Sequence, residues 1–203
     1  MSSSNEQPIS RFPVPSLESL PADIREKILA VQEKSGFIPN VFLVLAHRPA
    51  EFRAFFDYHD ALMEKDSNLT KGEREMIVVA TSNLNQCQYC VVAHGAILRI
   101  REKNPEIADQ VAVNYRKADI TERQKAMLDF AIKVSQQAQE VCDADFEELK
   151  RHGFNDEDIW DTTIRPNKKG PGKGQKRVTE KPELSSESRP GQTPGNEGAH
   201  PLC

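Results

Sequence analysis

The sequence predicts an all-α fold, and three observations lead to that prediction. Apolar residues recur at helical spacing through most of the first 161 positions. Thr70-Lys-Gly-Glu73 and Thr121-Glu-Arg-Gln124 match the capping box, a side-chain pattern that opens many helices. No segment shows the apolar–polar alternation of a half-buried strand, and the chain contains no internal repeat.

The predicted helices follow one another along the chain. Gly36-Phe-Ile-Pro-Asn40 separates the first from the second, and Pro49 ends the second. Gly153 ends the helix before the last, and the apolar pattern of the last stops at Trp160. In order, the helices span Asp23–Glu33, Val41–His47, Glu51–Lys65, a segment from Glu73, a segment from Gln86, a segment after Thr121, Asp145–Arg151 and a segment from about Asn155.

Composition divides the 203 residues into three parts. Residues 1–20 form an N-terminal extension, residues 21–161 a helical domain, and residues 162–203 a tail. The tail holds six Gly, six Pro, eight Lys/Arg and four Asp/Glu, with few apolar residues, which predicts a disordered basic segment. The first 161 residues carry nineteen Lys/Arg against twenty-seven Asp/Glu. Such an acidic body argues against nucleic acid as a partner, and the tail lacks the interleaved aromatics of a nucleic-acid arm.

No targeting or membrane segment is predicted. Met1–Ser19 is polar and interrupted by proline, unlike a signal peptide. No run approaches the roughly 20 apolar residues that a membrane helix needs. We therefore expect a cytoplasmic protein without a membrane partner. In a reducing compartment a CxxC motif is more often catalytic or metal-binding than a structural disulfide.

The residues best suited to chemistry lie near the middle of the chain. Cys87-Gln-Tyr-Cys90 is a CxxC motif, His94 follows four positions later, and Glu75 precedes the first cysteine by twelve. Two cysteines at this spacing can close a disulfide reversibly, and a histidine one turn later lies over the same helix face. The group suits either thiol redox chemistry or most of a metal site.

The distance from Glu75 to the cysteines depends on a break in the helix. On one straight helix Glu75 would lie about 18 Å along the axis from Cys87, too far for contact. Asn83-Leu-Asn85 is a plausible break, after which the chain can reverse. The helix from Glu73 can then pack beside the helix from Gln86 and bring Glu75 to the cysteines.

The same break predicts how the second helix begins. Asn85 is expected to be its N-cap, with Gln88 at the third helical position. Cys87 then lies in the first turn, where free N–H groups and the helix dipole favour a thiolate. His94 lies one turn after Cys90, so its imidazole can exchange a proton with that thiol.

Two other kinds of site use cysteine pairs, and a third possibility is that the pair is inert. Zinc would have three ligands in Cys87, Cys90 and His94, whereas a closed structural site needs four, and no second CxxC follows. A c-type haem needs His directly after the second cysteine, where Val91 stands. In the third interpretation the cysteines are ordinary buried residues. We expect no metal and no cofactor.

The spacing of Glu75, Cys87, Cys90 and His94 resembles the motif of AhpD-like alkylhydroperoxidases, in the carboxymuconolactone decarboxylase-like superfamily. The segment from Ile77 to Gly95 is similar to the peroxidase-related branch of that superfamily, as are Gly36-Phe-Ile-Pro-Asn-Val41 and Leu45-Ala-His-Arg-Pro49. The resemblance extends from about Pro13 to Asp161.

The resemblance implies an all-α protein that assembles as a homo-oligomer and reduces hydroperoxides without a cofactor. It implies that Cys90 is the peroxidatic thiol, Cys87 the resolving thiol, and Glu75 with His94 a proton relay. Helix-end electrostatics alone would favour Cys87 as the nucleophile, whereas the histidine one turn away favours Cys90. An external dithiol, either a thioredoxin-like or a dihydrolipoyl protein, is the implied reductant.

The sequence departs from the family pattern in two places. Well-studied members have a second histidine before the second cysteine, where this chain has Tyr89. In relatives the segment after Asp161 continues as an apolar helix, whereas here it becomes rich in Pro, Gly and Lys. We therefore predict that the domain lacks its last helix, as in a splice form or a changed reading frame.

The alternative function is a non-catalytic redox-sensing or interaction protein on the same scaffold.

Overall fold

The structure is a computed structural model that describes residues 8–163. Within that range it contains nine α-helices and no strand, which confirms the all-α prediction. The disordered tail predicted for residues 162–203 lies outside the described residues, apart from Thr162 and Thr163, which belong to the last helix. The helices are α1 (Ala22–Ser35), α2 (Asn40–Leu45), α3 (Pro49–Met63), α4 (Lys71–Leu84), α5 (Gln88–Glu102), α6 (Ile107–Asn114), α7 (Glu122–Gln136), α8 (Asp143–Arg151) and α9 (Asp156–Thr163).

The chain divides into two compact units after Asp66. The first unit contains α1, α2 and α3, which meet around the rings of Phe42, Phe52 and Phe56. On its surface the Arg53 guanidinium donates two hydrogen bonds to the carboxylate of Asp23, at 2.6 and 2.9 Å. This pairing lowers the pKa of Asp23. The boundaries predicted for the helical domain, residues 21 and 161, remain a prediction.

The second unit is built around α4, the most deeply buried helix of the described chain. Ten of its fourteen residues are buried, and it packs against α5, α6 and α7. Apolar side chains from α4 and every later helix form one continuous core in this unit. Because α4 has almost no solvent-facing side, each of its polar side chains needs a partner inside the protein.

The start of α4 supplies several of those partners. The Thr70 hydroxyl accepts from the N–H of Glu73 at 3.0 Å, and the Glu73 carboxylate accepts from the N–H of Thr70 at 2.9 Å. The predicted capping box is therefore confirmed, as is the one at Thr121 and Gln124 that opens α7. The buried Glu73 carboxylate also accepts a hydrogen bond from Arg123 of α7. One carboxylate thus caps α4 and ties it to a neighbouring helix.

The sequence did not predict α6, which covers Ile107–Asn114. This helix is short and begins two residues after Pro105, so the region resembled a loop in its local pattern. Ile107, Ala108 and Val111 are nevertheless buried against the core. Gly95 of α5 permits a close approach here, since an added Cβ would lie 3.3 Å from the Cβ of Ala108.

The carboxylate of Glu102 occupies an unfavourable position at the end of α5. It lies over the first turn of α4, where a Cβ added to Gly72 would fall 1.5 Å from Glu102 Oε1. Burial and the nearby carboxylate of Glu73 raise the pKa of Glu102. A carboxyl whose pKa is raised by folding reduces stability when it is ionised, and this cost disappears as the pH falls below its unfolded-state value.

We therefore expect Glu102→Gln to raise the melting temperature near neutral pH, because glutamine keeps the shape of the side chain without its charge. The gain should shrink toward about pH 4, where glutamate itself becomes protonated. Thermal denaturation at both pH values tests this, with the exposed Glu140→Gln as a matched control that should show no such gain. A lower melting temperature for Glu102→Gln at neutral pH would contradict the assignment.

Candidate active site

The two cysteines of the CxxC motif are joined to each other at the start of α5. Cys87 and Cys90 form a disulfide with their Cα atoms 5.4 Å apart. Both residues are only partly buried, so molecules in solution can approach the pair. Within residues 8–163, no three His, Cys, Asp or Glu side chains converge as metal ligands would. The pair is therefore in its oxidised form, the product of a two-electron oxidation of two thiols.

The turn before the cysteines differs from the prediction for Asn85. Asn85 is the C-cap of α4 and not the N-cap of α5, so that prediction was wrong. The physical reason is the conformation of Gln86, whose φ of +56° reverses the chain directly after α4. The N–H of Gln86 donates to the carbonyl of Asn83, and the N–H of Cys87 donates to the carbonyl of Ser82, both at 2.9 Å. These two bonds form the Schellman motif, here with glutamine at the position that glycine usually holds.

Cys87 consequently joins the two helices. Its N–H completes the end of α4, and its carbonyl accepts the first hydrogen bond of α5, from the N–H of Val91 at 3.0 Å. Cys87 is therefore the N-cap of α5 and Gln88 is the first helical residue, not the third. Cys87 is thus at the positive end of the helix dipole but just outside the first turn, within which the sequence had placed it.

The reversal at Gln86 brings Glu75 into contact with His94. The prediction that the helix from Glu73 packs beside the helix from Gln86 is confirmed, since α4 and α5 pack along their lengths. The Nδ1 atom of His94 lies 2.8 Å from Oε2 of Glu75. The Glu75 side chain is 9 % exposed and that of His94 is 26 % exposed, so the contact is largely shielded from water.

This contact determines which nitrogen of His94 is available for proton transfer. A carboxylate can only accept a hydrogen bond, so Nδ1 carries the proton and donates it to Glu75. In the neutral ring Nε2 then keeps its lone pair and can accept a proton. Cys90 precedes His94 by one helical turn on the same face of α5. The arrangement therefore brings the buried carboxylate of α4 to an imidazole on α5, one turn from the cysteine pair at the start of that helix.

Tyr89, which lies between the two cysteines, does not belong to this group. Its side chain is 51 % exposed. On an α-helix successive residues differ by about 100° around the axis, so Tyr89 and Cys90 project in different directions. The sequence analysis did not identify the contact of Ser82, whose backbone carbonyl accepts the hydrogen bond from the N–H of Cys87. Because every residue type has this carbonyl, no side chain in the sequence could have indicated the contact.

Comparisons with known proteins extend these observations. The family model described as the carboxymuconolactone decarboxylase family matches residues 49–114. A crystal structure described as the alkylhydroperoxidase AhpD core, an uncharacterized peroxidase-related protein from Ralstonia eutropha JMP134, is 70 % identical with a TM-score of 0.77. The match covers 79 % of this chain and 85 % of that chain. The chain therefore belongs to this AhpD-like, peroxidase-related family.

A second solved structure supports the same relationship. An uncharacterized peroxidase-related protein from Silicibacter sp. TM1040 is 38 % identical with a TM-score of 0.74, over 82 % of this chain and 86 % of that chain. A comparison with curated proteins found no match. In this AhpD-like chain, Glu75, Cys87, Cys90 and His94 all lie inside the segment that the family model matches. Among the described residues, no helix is long and apolar enough to cross a membrane.

The left-handed turn at Gln86 gives a prediction about stability. A residue with a Cβ pays about 1–2 kcal/mol in this conformation, whereas glycine adopts it freely. We expect Gln86→Gly to raise the free energy of unfolding by about 1 kcal/mol, after allowing for the greater flexibility of glycine in the unfolded chain. Chemical denaturation measures the change.

The matched control for this variant is Gln88→Gly, two residues later. Gln88 is equally exposed but is the first residue of α5, where glycine should lower the free energy of unfolding by up to about 1 kcal/mol. Equal losses in both variants would show that the turn at Gln86 does not favour glycine and would contradict the Schellman geometry.

Proposed function

We propose that this protein is a thiol-dependent hydroperoxide reductase that uses Cys87 and Cys90 as its redox pair. The observation that carries the proposal is the 2.8 Å contact of His94 Nδ1 with the buried carboxylate of Glu75, one turn from Cys90. A partly buried cysteine pair needs no such relay merely to be stable. A base oriented beside one of the two thiols is useful when that thiol must lose and pass on a proton.

In the first proposed step the Cys90 thiolate attacks the terminal oxygen of a hydroperoxide. The O–O bond breaks, Cys90 becomes a sulfenic acid, and the organic part leaves as an alkoxide. His94 Nε2, having taken the thiol proton, returns it to this leaving oxygen. Between these two transfers the ring carries a positive charge. Glu75 stabilises that charge, because its carboxylate accepts a hydrogen bond from Nδ1–H throughout.

In the second proposed step the Cys87 thiol attacks the sulfur of the sulfenic acid. The S–O bond breaks, water leaves, and the disulfide forms between the two cysteines. The sum is two thiols and one hydroperoxide consumed, with one disulfide, one alcohol and one water produced. An external dithiol must then reduce the disulfide. The relationship to proteins described as peroxidase-related supports a peroxide substrate.

Cys90 is proposed as the nucleophile because of its position relative to His94. Cys87 lies nearer the helix end, where the dipole favours a thiolate. However, Cys87 is outside the helix, with its backbone tied to both α4 and α5. Cys90 lies within α5, one turn from His94, whose imidazole is oriented by Glu75 and suits proton exchange. A proton relay is worth about 10²–10⁴-fold in rate, which exceeds the effect of a helix end on one thiol.

Counting thiols tests the proposal directly. The sequence has four cysteines, so the fully reduced chain should have four free thiols. After one equivalent of an organic hydroperoxide, we expect two thiols to remain, because only Cys87 and Cys90 combine. The measurement is a thiol titration of the denatured protein before and after the addition, with alcohol formation measured in parallel.

Two variants make this test specific. Cys90→Ser should abolish alcohol formation, whereas Cys142→Ser should leave the loss of two thiols unchanged because Cys142 lies at the start of α8, outside the site. If the folded wild-type protein still has four free thiols after treatment with the hydroperoxide, the proposal is wrong. That result would favour the alternative, a non-catalytic redox-sensing or interaction protein on this scaffold.

A further inference from the structure

An uncharged apolar strip lies along the outward side of α5 and begins beside the cysteine pair. Its members are all exposed, with Val92 at 65 % and Ile100 at 75 %. Exposed apolar side chains are ordinary when scattered, but a continuous set on one helix face is typical of a contact surface. We call these residues the α5 strip: Tyr89, Val92, Ala96, Ile97 and Ile100.

The geometry of the helix connects the α5 strip to the redox pair. Ile97 follows Cys90 by seven residues, which places the two on nearly the same side of α5. Tyr89 is the immediate neighbour of Cys90 in the chain. From Tyr89 to Ile100 the strip is about 16 Å long, at 1.5 Å per residue. Cys90, one of the two residues whose sulfur atoms form the disulfide, therefore lies beside one edge of the strip.

The charge around the α5 strip differs from that of the rest of the second unit. From Gln88 to Arg101, α5 has two arginines and no carboxylate, and the exposed Lys103 follows its end. Its last residue, Glu102, places its carboxylate over the first turn of α4. Residues 104–163 carry fourteen Asp/Glu and only seven Lys/Arg. A partner with an apolar patch and an acidic rim is complementary to this face. Two copies of this chain paired strip to strip would bring together two faces that both carry arginine and no carboxylate between residues 88 and 101, which are not complementary in charge.

We propose, on the basis of the function proposed above, that the α5 strip is the docking surface for a thioredoxin-like protein that reduces the disulfide. A small dithiol, or a lipoyl group on a flexible arm, needs access only to a sulfur atom. A folded domain that carries its dithiol on a rigid surface must also cover what lies around that sulfur. A typical protein contact covers about 800 Å² on each side, which easily includes a strip of this length.

The electron transfer in the docked complex follows ordinary thiol–disulfide exchange. One thiolate of the partner attacks one sulfur of the Cys87–Cys90 disulfide, whose S–S bond breaks as the other sulfur leaves and takes a proton. The partner's second thiol then attacks the mixed disulfide and releases the remaining cysteine as a thiol. Two electrons and two protons pass to this protein, and the partner becomes a disulfide.

The test compares reduction by a protein with reduction by a small molecule. The oxidised full chain is mixed with reduced thioredoxin or with dithiothreitol at equal dithiol concentration, and the loss of the disulfide is followed in time. We expect Ile100→Glu to lower the rate constant with thioredoxin by at least about tenfold, since a carboxylate would be placed in an apolar contact with an acidic rim. The rate constant with dithiothreitol should change less than about twofold, because Ile100 lies far from both sulfurs.

Val113→Glu is the matched control. Val113 is 85 % exposed on α6, outside the α5 strip, so this variant adds the same charge without touching the proposed surface. It should leave both rate constants unchanged. Three results would overturn the docking proposal: no advantage of thioredoxin over dithiothreitol with wild type, equal rates for Ile100→Glu and wild type with thioredoxin, or a change in oligomeric state caused by Ile100→Glu. The last result would assign the strip to a second copy.

Peroxide consumption with dithiothreitol as the reductant separates failure of this inference from failure of the proposed function. If wild type consumes hydroperoxide with dithiothreitol while Ile100→Glu behaves as wild type with thioredoxin, only the docking surface is wrong. If wild type consumes no hydroperoxide with either dithiol, the proposed function itself is wrong.

Discussion

The contact between Glu75 and His94 depends on a constraint that shapes the whole second unit, namely the burial of α4. A helix with ten buried residues cannot leave a carboxylate without a partner, because the desolvation of an unpaired charge costs several kcal/mol. The carboxylate of Glu73 pairs with Arg123, and that of Glu75 pairs with His94. The first pair holds α4 to α7. The second pair joins α4 to α5 and also gives the imidazole a fixed orientation beside the cysteines, so that one contact serves both folding and the proposed chemistry.

The turn at Gln86 is the second requirement, because it sets how α5 lies against α4. Its two Schellman hydrogen bonds fix Cys87 through the backbone, leaving the sulfur of that residue at the beginning of α5. The cysteine side chains therefore lie at a partly exposed corner, while the carboxylate that orients the histidine remains inside. This separation leaves the cysteines accessible to the peroxide and the dithiol protein that we propose, without exposing the buried pair. The α5 strip continues outward from the same corner, which relates the proposed reductant surface to the same turn.

The sequence was sufficient for the helices that have strong local signals. The capping boxes at Thr70 and Thr121 and the packing of α4 beside α5 were all predicted. The spacing among the glutamate, the two cysteines and the histidine of the site indicated the family. Two features could not be obtained from local patterns. The helix α6 is short and depends on contacts with α5 across Gly95, and the turn places a glutamine where glycine is usual. For α6 the tertiary contacts outweigh the local pattern. At Gln86 two local backbone hydrogen bonds outweigh the preference of glutamine for negative φ, which is why Asn85 was assigned to the wrong helix.

The rate at which the reduced protein forms its disulfide with an organic hydroperoxide tests the central claim most directly, when His94→Ala is compared with His152→Ala. His152 also contacts a carboxylate, Glu148, at 3.1 Å, but it lies between α8 and α9, remote in the chain from the cysteines. We expect His94→Ala to slow the reaction by about 10²–10⁴-fold and His152→Ala to leave it unchanged. A His94→Ala rate constant within about twofold of wild type, well below the range expected for a lost proton relay, would contradict the account.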